Sequence, residues 1–190
     1  MAIHKAEIVL QAIREASKEE FLPIIDYSAP GKGQLLEELI RKKKPKRVLE
    51  IGTLVGYSAI KIIRNLRANS ELVTIEIDPA HARTALQNIK KAGMEGKATI
   101  VIGNALSEIP KLSGKFDFVF IDAAKEDYID YLLLLEKHGL LGEKATILAD
   151  NVKMFQSEVK DYLDYVRNSG RYKSSYHDFS DDAMEVSERI

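Results

Sequence analysis

Phe116-Asp117-Phe118-Val119-Phe120-Ile121-Asp122-Ala123-Ala124-Lys125 holds four consecutive apolar residues, 118–121, that do not alternate with polar ones. A strand covered on one face alternates. A strand covered on both faces reads as a continuous apolar run, the mark of a parallel sheet between two layers of helices. The run then stops abruptly at Asp122, and a helix is expected from about Glu126 to His138. The same apolar run followed by a helical segment recurs along the chain. Upstream lie Arg47–Ile51, Leu72–Ile77 and Ala98–Ile102, followed by helices at Ser58–Leu66, Pro79 to about Ala92, and Ala105–Leu112. Pro79 suits a first helical turn and Gly93 a helix stop. Downstream, Ala145–Ala149 is a strand, Glu158–Asn168 a helix, and Lys173–Phe179 with Met184–Arg189 a closing pair of strands. Repeated strand–helix units predict an α/β fold: a parallel sheet with helices on both faces.

Ahead of this pattern, Ile3, Ala6, Val9, Leu10, Ile13 and Phe21 recur at helical spacing. Residues 1–27 are therefore expected to be a helical segment packed on the main body. Pro30-Gly31-Lys32-Gly33 breaks the chain, and a second helix runs from Gln34 to about Lys43, ended by Pro45. A length of 190 residues suits a single domain, 1–190. The apolar share of 45% and charged share of 30% fit a globular protein rather than a disordered one. Without cysteine there is no disulfide, thiolate zinc site or cysteine nucleophile. The four histidines are scattered with no pair at i,i+4, which argues against a histidine-built metal site. No signal core and no apolar run of about 18 residues is seen, so a cytoplasmic protein without membrane contact is expected. A net charge of −1 argues against a chain built wholly around nucleic acid.

In sheets of this kind, ligands bind outside the carboxyl ends of the strands. Four such ends carry polar groups. After Glu50-Ile51 comes Gly52-Thr53-Leu54-Val55-Gly56-Tyr57-Ser58, whose two glycines permit a tight turn and close approach of backbone to a ligand. It lacks the G-x-G-x-x-G spacing of a dinucleotide site, which disfavours a nicotinamide dehydrogenase. The second strand ends Glu76-Ile77-Asp78. Asp78 fits a helix cap. That leaves Glu76, roughly 20 residues past the glycine turn, to accept from a ribose diol. The fourth and fifth ends bring Asp122, Asp150 and Asn151 together, a hard-oxygen set suited to Mg²⁺ or another divalent cation. Each has an ordinary alternative: capping by Asp122, a turn at Asp150-Asn151. Lys125, three residues past Asp122, is expected in the same crevice, where burial and a cation would lower its pKa and make it a general base.

These residues resemble the metal-dependent O-methyltransferases, the group of catechol O-methyltransferase and caffeoyl-CoA O-methyltransferase. The resemblance rests on VLEIGTLVGYSA (48–59), VTIEIDP (73–79), FDFVFIDAAKEDY (116–128) and ILADNV (147–152), with weaker similarity at GKGQ (31–34) and GNALSEIP (103–110). It implies a Rossmann-like class I methyltransferase fold, a seven-stranded, mostly parallel sheet whose last strand is antiparallel. It implies S-adenosylmethionine along Ser28, Glu50, Gly52, Ser58, Glu76, Asn104, Ala105 and Asp122, and metal ligands Asp122, Asp150 and Asn151. Lys125 becomes the base, with Asp122 also in the catalytic set, and Lys125, Asn151 and Asp182 face the substrate. Ala183 stands where many members have glycine, Ala124 where catechol O-methyltransferase has a gating tryptophan, and Asn104 where an aspartate is common.

The expected reaction methylates a hydroxyl of a chelating small molecule, a diol or catechol-like acceptor whose second oxygen also meets the metal. Two other readings use the same scaffold. One is methylation of a hydroxylated uridine in tRNA, with phosphates meeting the basic run Arg41-Lys42-Lys43-Lys44-Pro45-Lys46-Arg47, although such a run is more often a solvated helix end. The other is a non-catalytic S-adenosylmethionine-binding module, against which the complete Asp122, Lys125, Asp150, Asn151 set argues. Little chain at the N-terminal helix and at Lys153–Ser157 is available to shape a pocket, which leaves room for a homodimer partner to complete it.

Overall fold

The computed structural model describes residues 2–26 and 29–190. Its strands are β1 (Arg47–Ile51), β2 (Glu71–Glu76), β3 (Ala98–Ile102), β4 (Phe116–Ile121), β5 (Leu141–Ala149), β6 (Tyr172–Asp178) and β7 (Ala183–Arg189). They form one sheet in the order β3-β2-β1-β4-β5-β7-β6. β1 to β5 pair in parallel, and β7 runs antiparallel to both its neighbours, β5 and β6. The expected sheet, with a reversed last strand, is the observed one.

The helices are α1 (Ala2–Glu20), α2 (Lys32–Lys43), α3 (Tyr57–Asn65), α4 (Pro79–Lys91), α5 (Ala105–Glu108), α6 (Tyr128–Lys137) and α7 (Lys160–Asn168). Successive residues of β4 point to opposite faces. Phe118 and Phe120 pack with α1 to α4 through Leu10, Leu36, Ile60 and Ile89. Val119 and Ile121 pack with α5 to α7 through Ala105, Leu132 and Val166. All four strand residues are fully buried, which explains the unbroken apolar run. Burying each such side chain contributes roughly 1.5–3 kcal/mol.

Three elements differ from expectation. β5 starts at Leu141, not Ala145, because the polar Gly142-Glu143-Lys144 interrupts its apolar signal, and the register with β4 shifts between Phe116 and Phe118. The helix expected at 105–112 is one α-turn followed by a 3₁₀ turn at Ile109–Lys111, where Pro110 cannot donate an α-helical bond. A 3₁₀ turn at Lys125–Asp127 also precedes α6.

The chain leaves β1 for β2 and β3 on one side, then crosses to β4 on the other. The strand order therefore reverses between β1 and β4. Adjacent loops diverge there and open a crevice at the carboxyl ends.

Candidate functional site

The turn after β1 is shaped by its surroundings. Gly52 (φ +97°), Leu54 (φ +49°) and Gly56 (φ +86°) have left-handed backbone. A Cβ on Gly52 would lie 2.1 Å from the carbonyl oxygen of Asp122, so β1 and β4 approach closely only because that position is glycine. The Glu76 carboxylate holds the turn. Its Oε2 accepts from the backbone N–H of Thr53 (3.2 Å) and Leu54 (2.7 Å), and its Oε1 from that of Asp78 (2.9 Å). Glu76, which the sequence left without a structural task, thus has one. Asp78 caps α4 by accepting from Ala80 and His81 N–H, as its position ahead of Pro79 suggests.

Glu50 lies beneath this turn, fully buried. Thr74 donates its hydroxyl to Oε2 at 2.6 Å, and Oε1 has no hydrogen-bond partner among the described residues. Burial pushes the carboxyl up to about 8, against the pull of the Ser58 and Thr74 hydroxyls. Ser58, in the first turn of α3, is itself nearly buried.

Asp122, Lys125, Asp150 and Asn151 meet at the ends of β4 and β5. Lys125 Nζ donates to Asp122 Oδ1 and to the Tyr128 hydroxyl, each at 2.9 Å. Tyr128, fully buried, donates in turn to the Asp150 carbonyl at 3.2 Å. Asp122 does not cap the 3₁₀ turn that follows, whose cap position is Ala124, without a side-chain hydrogen bond. Asp150 Oδ1 accepts from Asn151 N–H at 2.7 Å. Asn151 has φ +59°, a left-handed conformation held by its neighbours at some cost. Burial and the charge of Asp122 push the Asp150 carboxyl above the usual aspartate range, opposed by Lys32.

Lys32 is the residue the sequence reading missed. It is the first residue of α2, its side chain is 1% exposed, and Nζ lies 2.6 Å from Asp150 Oδ1 and 2.7 Å from Asp182 Oδ2. Burial would lower its pKa, but the two carboxylates outweigh that and raise it. Asp182 differs from expectation. It is fully buried, accepts from Lys32, from Asn151 Nδ2 (2.5 Å) and from Met154 N–H (3.1 Å), and stands behind the crevice rather than in it. Burial alone would raise its carboxyl; Lys32 and its other donors hold it below the usual aspartate range. Residues 32 and 182 are 150 positions apart, so no spacing rule joins them. The only trace was the GKGQ resemblance.

A cavity of about 630 Å³ runs across this end of the sheet. One half is lined by Gly52, Ser58, Glu76, Asn104 and Ala105, the other by Lys32, Asp122, Lys125, Asp150 and Asn151. Of the residues singled out by sequence, Glu50 and Asp182 do not line it, and Ser28 lies outside the described residues. Asn104 caps α5 through Leu106 N–H while lining the wall. Ile24, Ile25, Met154 and Phe155 add an apolar rim near Lys125. Among the described residues no three His, Cys, Asp or Glu side chains gather as a metal centre; the set here is two carboxylates and an amide. Asp122 Oδ2, Asp150 Oδ2 and Asn151 Oδ1 make no hydrogen bond with the described residues, so each of the three keeps an oxygen free to bind a hard cation.

The basic run at 41–47 spans the end of α2 and the start of β1, at the opposite end of the strands from this cavity. Arg41, Lys43 and Arg47 are engaged by Asn65, Glu188 and Glu71. No helix among the described residues is long and apolar enough to cross a membrane.

Residues 2–177 match the sequence model of a family described as O-methyltransferase. Catechol O-methyltransferase B of Danio rerio is 41% identical over 150 residues, covering 76% of this chain and 56% of that protein. Catechol O-methyltransferase of Bos taurus is 37% identical over 150 residues, covering 76% and 54%. The chain thus spans about half the length of these two curated relatives. The O-methyltransferase of Bacillus cereus, solved in complex with SAH, superposes with a TM-score of 0.84 at 25% identity over 96% of this chain and 90% of that one.

Proposed function

The chain belongs to the O-methyltransferase family, and from that premise we propose that it transfers a methyl group from S-adenosylmethionine to a hydroxyl of a small catechol-like acceptor, with a divalent cation such as Mg²⁺ held by Asp122, Asp150 and Asn151. One observation carries the reading. A single cavity joins the glycine turn, Glu76 and Asn104–Ala105 to the Asp122, Lys125, Asp150 and Asn151 set, so a donor and an acceptor could lie end to end. The relatives' names supply the catechol class of acceptor.

S-Adenosylmethionine supplies a methyl group already activated as a sulfonium, and a divalent cation makes a hydroxyl that touches it more acidic. The remaining tasks fall to the chain. Gly52 lets the backbone approach the donor, and Glu76 keeps that backbone in place while presenting its carboxylate to the cavity. Asn104 and Ala105 form the far wall. Ser58 and the N-terminus of α3 offer donors to the methionine carboxylate. Lys125 Nζ, fixed by Asp122 and Tyr128, is placed to take the acceptor's proton. Met154 and Phe155 exclude water beside it, and the small Ala124 leaves the rim open to rings of differing size. Holding donor and acceptor in line is worth up to roughly 7–11 kcal/mol in favourable cases.

The test is Asp150→Ala assayed with a simple catechol and Mg²⁺. Loss of several kcal/mol of transition-state stabilisation predicts turnover falling roughly a hundred- to ten-thousand-fold, while S-adenosylhomocysteine affinity measured by calorimetry stays within about three-fold, since an interaction of this size is local. Undiminished turnover by the wild type in excess chelator would remove the metal from the reading. The tRNA reading finds no support in the placement of the basic run, which lies away from the cavity.

A further inference from the structure

Asn151 offers a cation only one of its two side-chain ends, because the amide oxygen binds cations and the amide nitrogen repels them. What fixes the choice here is Asp182. Its Oδ2 takes the Asn151 Nδ2 donor at 2.5 Å, and covalent geometry then turns Oδ1 away from Asp182. Asp182 is itself fully buried and pinned on three sides. Lys32 Nζ lies 2.7 Å from the same Oδ2, Met154 N–H donates to Oδ1, and Asp182's own carbonyl accepts from Phe179 N–H. Lys32 also holds Asp150 Oδ1 at 2.6 Å, so one ammonium ties Asp182 to the neighbouring carboxylate of the cation set. A buried carboxylate this constrained cannot turn to meet an acceptor in the cavity, and it does not line it.

We propose that Asp182 is a positioning residue that orients the Asn151 amide for cation binding, with Lys32 as the buried partner that holds the carboxylate in place. The inference rests on the cation reading above. Partners of this kind, one step behind a metal ligand, typically change metal affinity by about 10–100-fold when removed.

The experiment is a double-mutant cycle on Mn²⁺ affinity, read by the free-Mn²⁺ electron paramagnetic resonance signal with S-adenosylhomocysteine bound. In the Asn151 background, Asp182→Ala should weaken Mn²⁺ binding by about 10–100-fold, because the acceptor that selects which end of Asn151 faces the cation is gone. In the Asn151→Asp background both ends of residue 151 are oxygens, so the same Asp182→Ala change should not weaken binding. Equal loss in both backgrounds, the signature of a bulk charge effect, overturns the proposal, as does no loss in either. If wild-type protein binds S-adenosylhomocysteine but no Mn²⁺, the cation reading itself fails, a result distinct from wild-type binding that Asp182→Ala leaves unchanged. Should Asp182→Ala not fold because Lys32 loses a partner, Lys32→Met/Asp182→Ala removes both charges and is read in the same two backgrounds with the same expectation.

Discussion

Glu50 concentrates the tension at the residue scale. Its carboxyl is buried beneath the glycine turn, with one oxygen on Thr74 and the other unpartnered among the described residues. In the unfolded chain the group ionises near its ordinary 4.5; in the folded protein burial holds the proton until about 8. Folding therefore takes up a proton between those values. The Glu50 contribution is most favourable below about 4.5, declines as pH rises, and is lost once the folded group ionises at about 8. Glu50→Gln keeps an acceptor for Thr74 and removes the ionisation. Measured by thermal melting of the ligand-free protein, wild type is expected to lose stability relative to Glu50→Gln from about pH 4.5 to about pH 8. Parallel curves would show that Glu50 is ionised in the fold at neutral pH. At this scale the sequence is informative where a residue terminates an apolar run. Asp122, Asp150, Asn151 and Glu76 were all visible as polar groups at strand ends, and all four line the cavity. Lys32 follows no run and depends on contacts 118 and 150 residues away. Asp182 was legible as a residue but not as to which way it faces, because facing is set by partners distant in sequence.

Elements were legible where one physical rule governed them. The bounds of β1, β3 and β4 follow from short, mostly apolar runs, and α4 from a proline start and a glycine stop, with Asp78 as cap. β5 reaches further back than its apolar run because the exposed Glu143 and Lys144 fall where its register with β4 shifts, between the pairs Phe116–Leu141 and Phe118–Thr146. The β1–α3 turn was recognisable as a tight turn, but its cause was not. Gly52 is required by the carbonyl of Asp122 on the next strand, in addition to its own φ of +97°. Gly52→Ala combines left-handed strain of about 1–3 kcal/mol with an overpacking cost of about 1–3 kcal/mol. Gly96 also has left-handed backbone (φ +78°), yet a Cβ there meets nothing within 4 Å. Gly96→Ala should cost only about 1–2 kcal/mol. Urea unfolding of the two variants separates the causes: Gly52→Ala is expected to lose at least twice as much stability and most of its S-adenosylhomocysteine affinity. Equal losses would mean that the approach of β4 to the turn contributes nothing beyond backbone strain.

For the molecule as a whole, the central question is how the first two helices are bound to the sheet that carries the cavity. Two kinds of contact do this. Ala6, Leu10, Ile13, Leu36 and Ile40 are buried in the same core cluster as Phe118 and Phe120 of the central strand. A polar network adds to it: Asp26 accepts from Gly33 N–H at 2.8 Å and from the Tyr57 hydroxyl at 3.0 Å, Lys61 reaches Asp26 and Glu37, and Arg64 joins Glu37 to Glu7. Lys32 carries the link through to β5 and β7. Losing one partner of such a buried pair typically costs about 3–5 kcal/mol, so α2 cannot detach while the rest stays intact. From this we propose that the 190 residues unfold as a single cooperative unit. Cavity ligands then act on all of it. S-Adenosylhomocysteine at about 100 times its dissociation constant should add about 2.7 kcal/mol, and for a chain of this length each kcal/mol moves the midpoint by roughly 2–4 °C. Calorimetry is expected to show one transition, displaced upward by roughly 5–11 °C with the ligand present. A separate low-temperature transition indifferent to the ligand would mean that α1 and α2 form a unit of their own, and that Lys32 does not couple them to the acid cluster.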